Sequence, residues 1–172
     1  MKRVLVALLA ISMAAGALTG CGSKGSEKTF TVGFDAEFPP YGYRDDSGEY
    51  VGFDLDLADA VIKQMGSQME FKSMGFDALI PAVQSGQIDL IAAGLDATPE
   101  REKQVAFSDP YFTQNGYIII VRKDNDDIKD WADLEGKNVG AQVGTQQVKL
   151  AQEAKAAQVK QLDSNSQAFM EL

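Results

Sequence analysis

The sequence predicts a doubly wound α/β fold built as two consecutive units, and three observations carry that expectation. Short β-branched or apolar runs alternate with amphipathic stretches over residues 29–93, the order that gives parallel strands joined by helical crossovers. Ile88 to Ala93 (IDLIAA) is an apolar run interrupted only by Asp89, as expected of a parallel strand covered on both faces. The alternation resumes beyond Gly116, with strand candidates at Gly116 to Val121 (GYIIIV), KNVGAQV and Val159 to Leu162.

Taken in order, Thr29 to Phe34 (TFTVGF) reads as a strand that ends before the Pro-Pro turn of DAEFPPYGY. YRDDSGEY carries an Asp-Ser-Gly turn and suggests a small hairpin or surface loop. In GFDLDLADAVIKQMG, Phe53, Leu57, Val61 and Met65 recur at a spacing of four, with Ile62 beside them, Asp54 as the expected N-cap and Gly66 as the stop. Met69 to Lys72 is a second strand. FDALIPAVQSG is a second helix, with Asp77 as its cap, Phe76, Ile80 and Val83 on one side and Gly86 at its end. Pro81 then falls in the first turn, where its missing N–H is no loss. Beyond the charged loop RKDNDDIKD come the short helix WADLEG, the strand KNVGAQV, the helix GTQQVKLAQEAKAAQ and the strand from Val159. Ser166 reads as the cap of a last helix whose apolar face, Ala168, Phe169 and Leu172, has barely begun when the sequence stops. That ending reads as a piece of a longer protein.

The first residues belong to no globule. Met1-Lys2-Arg3 is followed by fifteen apolar or small residues, Val4 to Leu18, too few for a membrane span of roughly 20 and right for a secretory signal. LTGC resembles a bacterial lipobox, which implies cleavage before Cys21 and acylation of its thiol. Residues 1–20 are therefore expected to be a signal peptide and 21–28 a lipid-anchored tether, with a lobe at 29–114 and a second, partial lobe at 115–172. Without Lys2 and Arg3, 14 basic residues face 25 acidic ones, a net charge of −11, so nucleic acid is not an expected partner. The absence of histidine removes imidazole catalysis and the commonest metal ligand, and no cofactor or metal is expected.

In open α/β sheets ligands collect beyond the carboxyl ends of the strands, where helix N-termini point. Three loops qualify: Gly33 to Tyr41, Ala93 to Arg101, and Val143 to Gln147. In the second, Thr98 reads as an N-cap and Pro99 as N1, so Arg101 falls at N3. A cation there opposes the helix macrodipole at a cost of about 0.3–1 kcal/mol. Either Glu100 or Glu102 compensates it on the surface, or the anion comes from outside.

The runs VGFDAEFPPYGY, EYVGFDLDLADAVIKQMG, FDALIPAVQSGQIDLIAAG, ATPEREKQVAFSDPYF and LEGKNVGAQVGT together resemble the extracytoplasmic solute-binding proteins of ABC importers for polar amino acids, family 3. The resemblance spans nearly all of residues 30–172. It implies a two-lobe clamp of the type II periplasmic-binding-protein fold, a monomer that closes on a free amino acid and is then recognised by a membrane permease. Position by position, Arg101 matches the arginine that forks onto the ligand carboxylate, and Thr145, with Gln146 beside it, the residue that meets the same carboxylate from the other lobe. Gly94 and Asp96, with the adjoining Ala93, match the ammonium-binding positions. Asp35 and Phe38 match the loop that touches the ligand side chain, and Phe76 a wall of the cleft. Asp96 stands where the family carries Ser or Thr, and its carboxylate is expected either to strengthen ammonium binding or to bias the site toward cationic ligands, unless it only forms an Asx turn before the helix. The family's chain also continues into a further ammonium-binding Asp and a second hinge strand, neither of which is in this sequence. The same resemblance admits two rivals, an exported dehydratase of the cyclohexadienyl or arogenate type and the sensor domain of a receptor.

Overall fold

A computed structural model describes residues 28–113 and 116–172. The expected signal peptide, Cys21 and the tether up to residue 27 lie outside the described residues.

The first sheet has β1 (Thr29–Phe34) at its centre, with β5 (Gln68–Ser73) on one side and β6 (Leu90–Ile91) on the other, both parallel to it. The chain leaves β1 through a small antiparallel sheet of β2 (Glu37–Phe38), β3 (Gly42–Arg44) and β4 (Tyr50–Val51), so the Asp-Ser-Gly turn does close a hairpin. Helix α1 (Phe53–Gln64) then returns to β5. Because the order reverses at β1, the loops that follow β1 and β6 part from each other at the carboxyl edge, and a crevice opens there.

Successive residues of β1 face opposite ways and are covered by different helices. Val32 is fully buried against Ala58, Ile62 and Ala92. On the other face Leu79 and Ala82, from α2 (Leu79–Gln84), pack on Ile88 and Ala93. Helices on both faces make the sheet doubly wound, as the alternation requires. Val32, Ile62, Leu79 and Ile88, each at most 1% exposed, contribute about 1.5–3 kcal/mol apiece. At Gly33 a side chain is impossible without a shift, since a Cβ would run into Ile88 Cδ1 and lie 3.2 Å from Leu79 Cδ2.

Several local expectations are corrected. The i, i+4 stripe on α1 is not its inner face: Phe53, Val61 and Met65 are exposed, and Asp54, Leu55, Ala58 and Ile62 are buried. Steps of four advance about 40° around the helix each time, so that stripe spirals off the sheet, whereas 55, 58 and 62 stay within one sector. Asp54 sits in the first turn, and the N-cap is Gly52 at φ 138°. The second helix opens with a 3₁₀ turn, Phe76–Ala78, whose N-cap is Gly75, and no Asp77 cap bond forms. Only Leu90 and Ile91 are strand, although Asp89 N–H to Thr31 O (2.8 Å) and Ala92 N–H to Gly33 O (2.9 Å) carry the pairing past both ends.

The short α3 (Pro99–Glu102) is as expected, with Thr98 Oγ1 accepting from Arg101 N–H at 3.3 Å. Residues 116–121 form no strand, and Ile118 and Ile120 are exposed. An apolar run becomes a strand only when another lies beside it, and among the described residues none pairs with this one. The second sheet thus has two strands here rather than three: β7 (Asn138–Gln142) and β8 (Gln158–Leu162), parallel in register Asn138 to Gln158 through Gln142 to Leu162. A 3₁₀ turn, Trp131–Leu134, enters it under an Asp130–Asp133 capping box. Between the strands runs α4 (Gln146–Glu153), which buries Val148 and Ala151. It ends short of the expected span because Lys155 adopts φ 57°. The last helix, α5 (Asn165–Met170), is capped by Ser164 and not Ser166, its Oγ accepting from Gln167 N–H at 3.2 Å.

Candidate ligand site where the two sheets meet

Arg101 begins from an ordinary cause, the Thr98-Pro99 helix start that places residue 101 at N3. Its side chain does not turn to the surface. Only 7% exposed, the guanidinium donates from Nη1 to Asp96 O and from Nη2 to Gly144 O, each at 3.0 Å. It lies 5.5 Å from the centre of the Phe76 ring, a cation–π contact of about 0.5–2 kcal/mol. Gly144 belongs to the turn after β7, so one side chain spans both sheets. Burial lowers the pKa of Arg101, while the charge of Asp96 and then Tyr117 act to raise it. The arginine remains protonated at any working pH.

The surface alternative for Arg101 is taken by another partner. Glu100 reaches Lys149 of α4 at 3.5 Å, with both side chains more than half exposed, so water and salt screen the link. The buried guanidinium instead donates to two carbonyls, within reach of the Asp96 charge.

Asp35, at the end of β1, is 7% exposed. Its Oδ1 accepts from Glu37 N–H at 3.0 Å, and Oδ2 from the Gln142 side-chain amide at 2.6 Å. This is a second bond between the two sheets. Gln142 is itself 4% exposed, also donates to Asp163 O at 3.1 Å, and accepts from Asn165 Nδ2 at 3.2 Å. The main chains meet too, since a Cβ on Gly144, at φ 76°, would lie 2.9 Å from Asp77 Cα.

Around these groups the other expected positions distribute unevenly. Phe38 stacks on Tyr41 at 5.1 Å, and one edge of it would be 3.2 Å from a Cβ on Gly94, which adopts φ 55°. Tyr41 continues the wall to Phe53 and Phe112, and Phe53 to Tyr111. Asp96 accepts from Tyr117 O–H at 2.7 Å; burial, followed by that bond, pushes the Tyr117 pKa up to about 12. The methyl group of Ala93 packs in the core with Leu79 and Ile88, leaving its backbone for the crevice. Thr145 turns inward, its hydroxyl donating to Gln142 O at 2.7 Å. Gln146 is the first residue of α4.

Sequence reasoning missed Gln142, Tyr117 and Asp54. Asp54 is 1% exposed and accepts from Tyr111 O–H at 3.0 Å through Oδ1, while Oδ2 is buried without a well-aligned donor. Burial raises its carboxyl above the ordinary value, and the Tyr111 bond and then the Gly94 amide pull the other way by less. One signal for Gln142 was present: a polar residue closing the otherwise small and apolar strand VGAQ, at the edge where ligands gather.

The family model for bacterial extracellular solute-binding proteins, family 3, matches residues 30–171. The arginine-binding extracellular protein ArtP of Bacillus subtilis is 41% identical over 150 residues, 84% of this chain and 57% of its own. The ABC transporter arginine-binding protein 1 of Escherichia coli is 38% identical, covering 100% of this chain and 67% of its own. An ancestral arginine-binding protein bound to glutamine superposes with a TM-score of 0.81 at 49% identity, over 86% of this chain and 65% of that one. The arginine-bound form of truncated ArgBP from T. maritima gives 0.80 at 41%, over 84% and 68%. The chain thus spans between 57% and 68% of the length of these relatives. With its doubly wound first sheet, its parallel second sheet and a match over all but its ends, the chain belongs to the bacterial extracellular solute-binding proteins, family 3.

Proposed function

We propose that the protein captures a free amino acid, with a cationic one such as arginine favoured, between a lobe at residues 29–114 and a second at 115–172, and delivers it to an ABC importer permease. The observation that carries this reading is the buried Arg101 guanidinium, which faces a carbonyl of the opposite sheet. A ligand carboxylate there replaces neutral carbonyl acceptors with paired charge-assisted bonds, and Asp96 then acts on the ammonium end of the same ligand. Thr145 and Gln146, at the start of α4, meet the same carboxylate once the Thr145 hydroxyl rotates off Gln142 O. Gly94, the Ala93 backbone and Asp96 take the ammonium. Asp35 receives a cationic side chain, with Phe38 and Phe76 as walls.

Binding and closure are one equilibrium, because a ligand favours the closed arrangement only by bridging groups that stand apart when the lobes separate. Micromolar affinity requires about −8 kcal/mol, within reach of a desolvated zwitterion meeting paired charges. The membrane connection we assign to acylated Cys21, with residues 22–28 as tether, placing a monomeric protein outside the cytoplasm. The relatives named as arginine-binding support transport over catalysis. A thermal-shift screen of the twenty amino acids on the full-length protein tests the reading. Stabilisation by arginine and close analogues is expected, and no response to any amino acid would overturn it.

A further inference from the structure

Tyr117 stands on the segment that leads from the first sheet to the second, and it reaches back into the crevice. Burial alternates along that segment: Tyr117, Ile119 and Val121 are half-buried, while Gly116, Ile118 and Ile120 are exposed. Tyr117 therefore lies on the inward side. Its hydroxyl donates to Asp96 Oδ2 at 2.7 Å, the short distance of a charge-assisted O–H···O⁻ bond. With its pKa raised to about 12, first by burial and then by this bond, the phenol keeps its proton and remains a donor at any working pH. The charge of Asp96 and the phenol both act on the Arg101 guanidinium, so the three groups are neighbours.

Asp96 is held in two places by two different donors. Arg101 Nη1 donates to its main-chain O at 3.0 Å, and Tyr117 to its side chain. A carboxylate offers about four acceptor positions, so a phenol on one oxygen fixes the rotamer without exhausting the group. Tyr111 does the same for a second carboxylate, donating to Asp54 Oδ1 at 3.0 Å. Asp54 Oδ2 lies 3.9 Å from where a Cβ on Gly94 would stand. Two carboxylates next to Gly94, one in space and one in sequence, are thus each held by a tyrosine from beyond α3.

We infer that Tyr117 is a positioning residue for ligand recognition: its hydroxyl fixes the Asp96 carboxylate so that Asp96 meets the ammonium of an α-amino acid while Arg101 holds its carboxylate. This rests on the amino-acid-binding reading above. A tethered carboxylate is already ordered when the ligand arrives, the preorganisation that raises affinity without a new contact. Because the effect passes through Asp96, it reaches only ligands that carry the ammonium.

Calorimetry on the full-length protein compares arginine with desaminoarginine, which keeps the carboxylate and the guanidinium and lacks the α-ammonium. The proteins are the wild type, Tyr117→Phe, Asp96→Ala and the double variant. Tyr117→Phe keeps the ring and removes only the hydroxyl. It should weaken arginine about tenfold and change desaminoarginine by less than about twofold. Added to Asp96→Ala, it should have no further effect on arginine. Equal losses for the two ligands would make Tyr117 a structural residue only and overturn the inference. So would an arginine loss that persists without the Asp96 carboxylate, or no loss at all. A wild type that binds no amino acid would end the binding reading and the positioning role with it, whereas a wild type that binds arginine with any of those three patterns refutes the role alone.

Discussion

Replacing Gly144 with alanine separates the cost of folding from the cost of closing. Gly144 adopts φ 76°, and a Cβ built on it lies 2.9 Å from both Cα and Cβ of Asp77. The left-handed conformation costs an L-residue about 1–2 kcal/mol wherever it occurs, so that part appears as lost stability with the lobes open or shut. The contact with Asp77 exists only when the sheets meet. It falls on the Cα and Cβ of a residue in a 3₁₀ turn, atoms that no side-chain rotation moves aside, and such overpacking costs about 1–3 kcal/mol. That second part weakens ligand binding by about 5- to 150-fold. Gly136 is the matched control, with the same φ of 76° and nothing within 4 Å of its Cβ. Urea unfolding should show the two variants losing similar stability, and calorimetry with arginine on the full-length protein should show only Gly144→Ala losing affinity. Equal affinities in the two variants would refute the closure argument.

Two further outcomes follow from the core and from the buried carboxylate. Gly33→Ala should cost about 1–3 kcal/mol of stability by overpacking against Ile88, and Ile88→Val, which removes the obstructing Cδ1, should cost about 0.5–1.5 kcal/mol alone. Urea midpoints of the double variant should fall short of the summed losses, whereas simple additivity would mean the two side chains do not meet. Asp54 has a folded pKa raised above its ordinary 3.8, first by burial, so the folded protein holds this proton more tightly than the unfolded chain does. Its contribution is full below 3.8 and is lost as pH rises through the folded value. Subtracting the stability profile of Asp54→Asn from that of the wild type should therefore leave a curve that declines with pH across that interval, and a rising difference would contradict the assignment.

Much of the architecture was legible because strands and helices alternate at the right lengths and glycines punctuate them. Thr98-Pro99 fixed the start of α3 and hence the place of Arg101, a local signal that tertiary packing did not override. What failed was non-local. Phe53, Val61 and Met65 are apolar yet outside, because a stripe of fours drifts around a helix and only contact with the sheet selects the sector at Leu55, Ala58 and Ile62. GYIIIV has every β preference and no partner among the described residues, which propensity by itself does not reveal. Ser164 and Ser166 are both acceptable caps in sequence, and the packing of α5 beside β7 decides between them. Arg101 stood out in the sequence through its conflict with the helix dipole, and the structure buries it. Gln142 was missed because its significance lies in an acceptor 107 residues away.

The central claim is that the buried guanidinium of Arg101 receives the carboxylate of an amino acid. Calorimetric titration of arginine and of argininamide, which lacks that carboxylate, into the full-length protein and its Arg101→Ala variant tests it most directly. Arginine should lose at least about 30-fold in affinity in the variant, since removing one partner of a buried charge pair costs about 2–5 kcal/mol, while argininamide should bind the wild type weakly and the variant no worse. Equal losses for the two ligands, or arginine binding that is indifferent to the substitution, would contradict the claim.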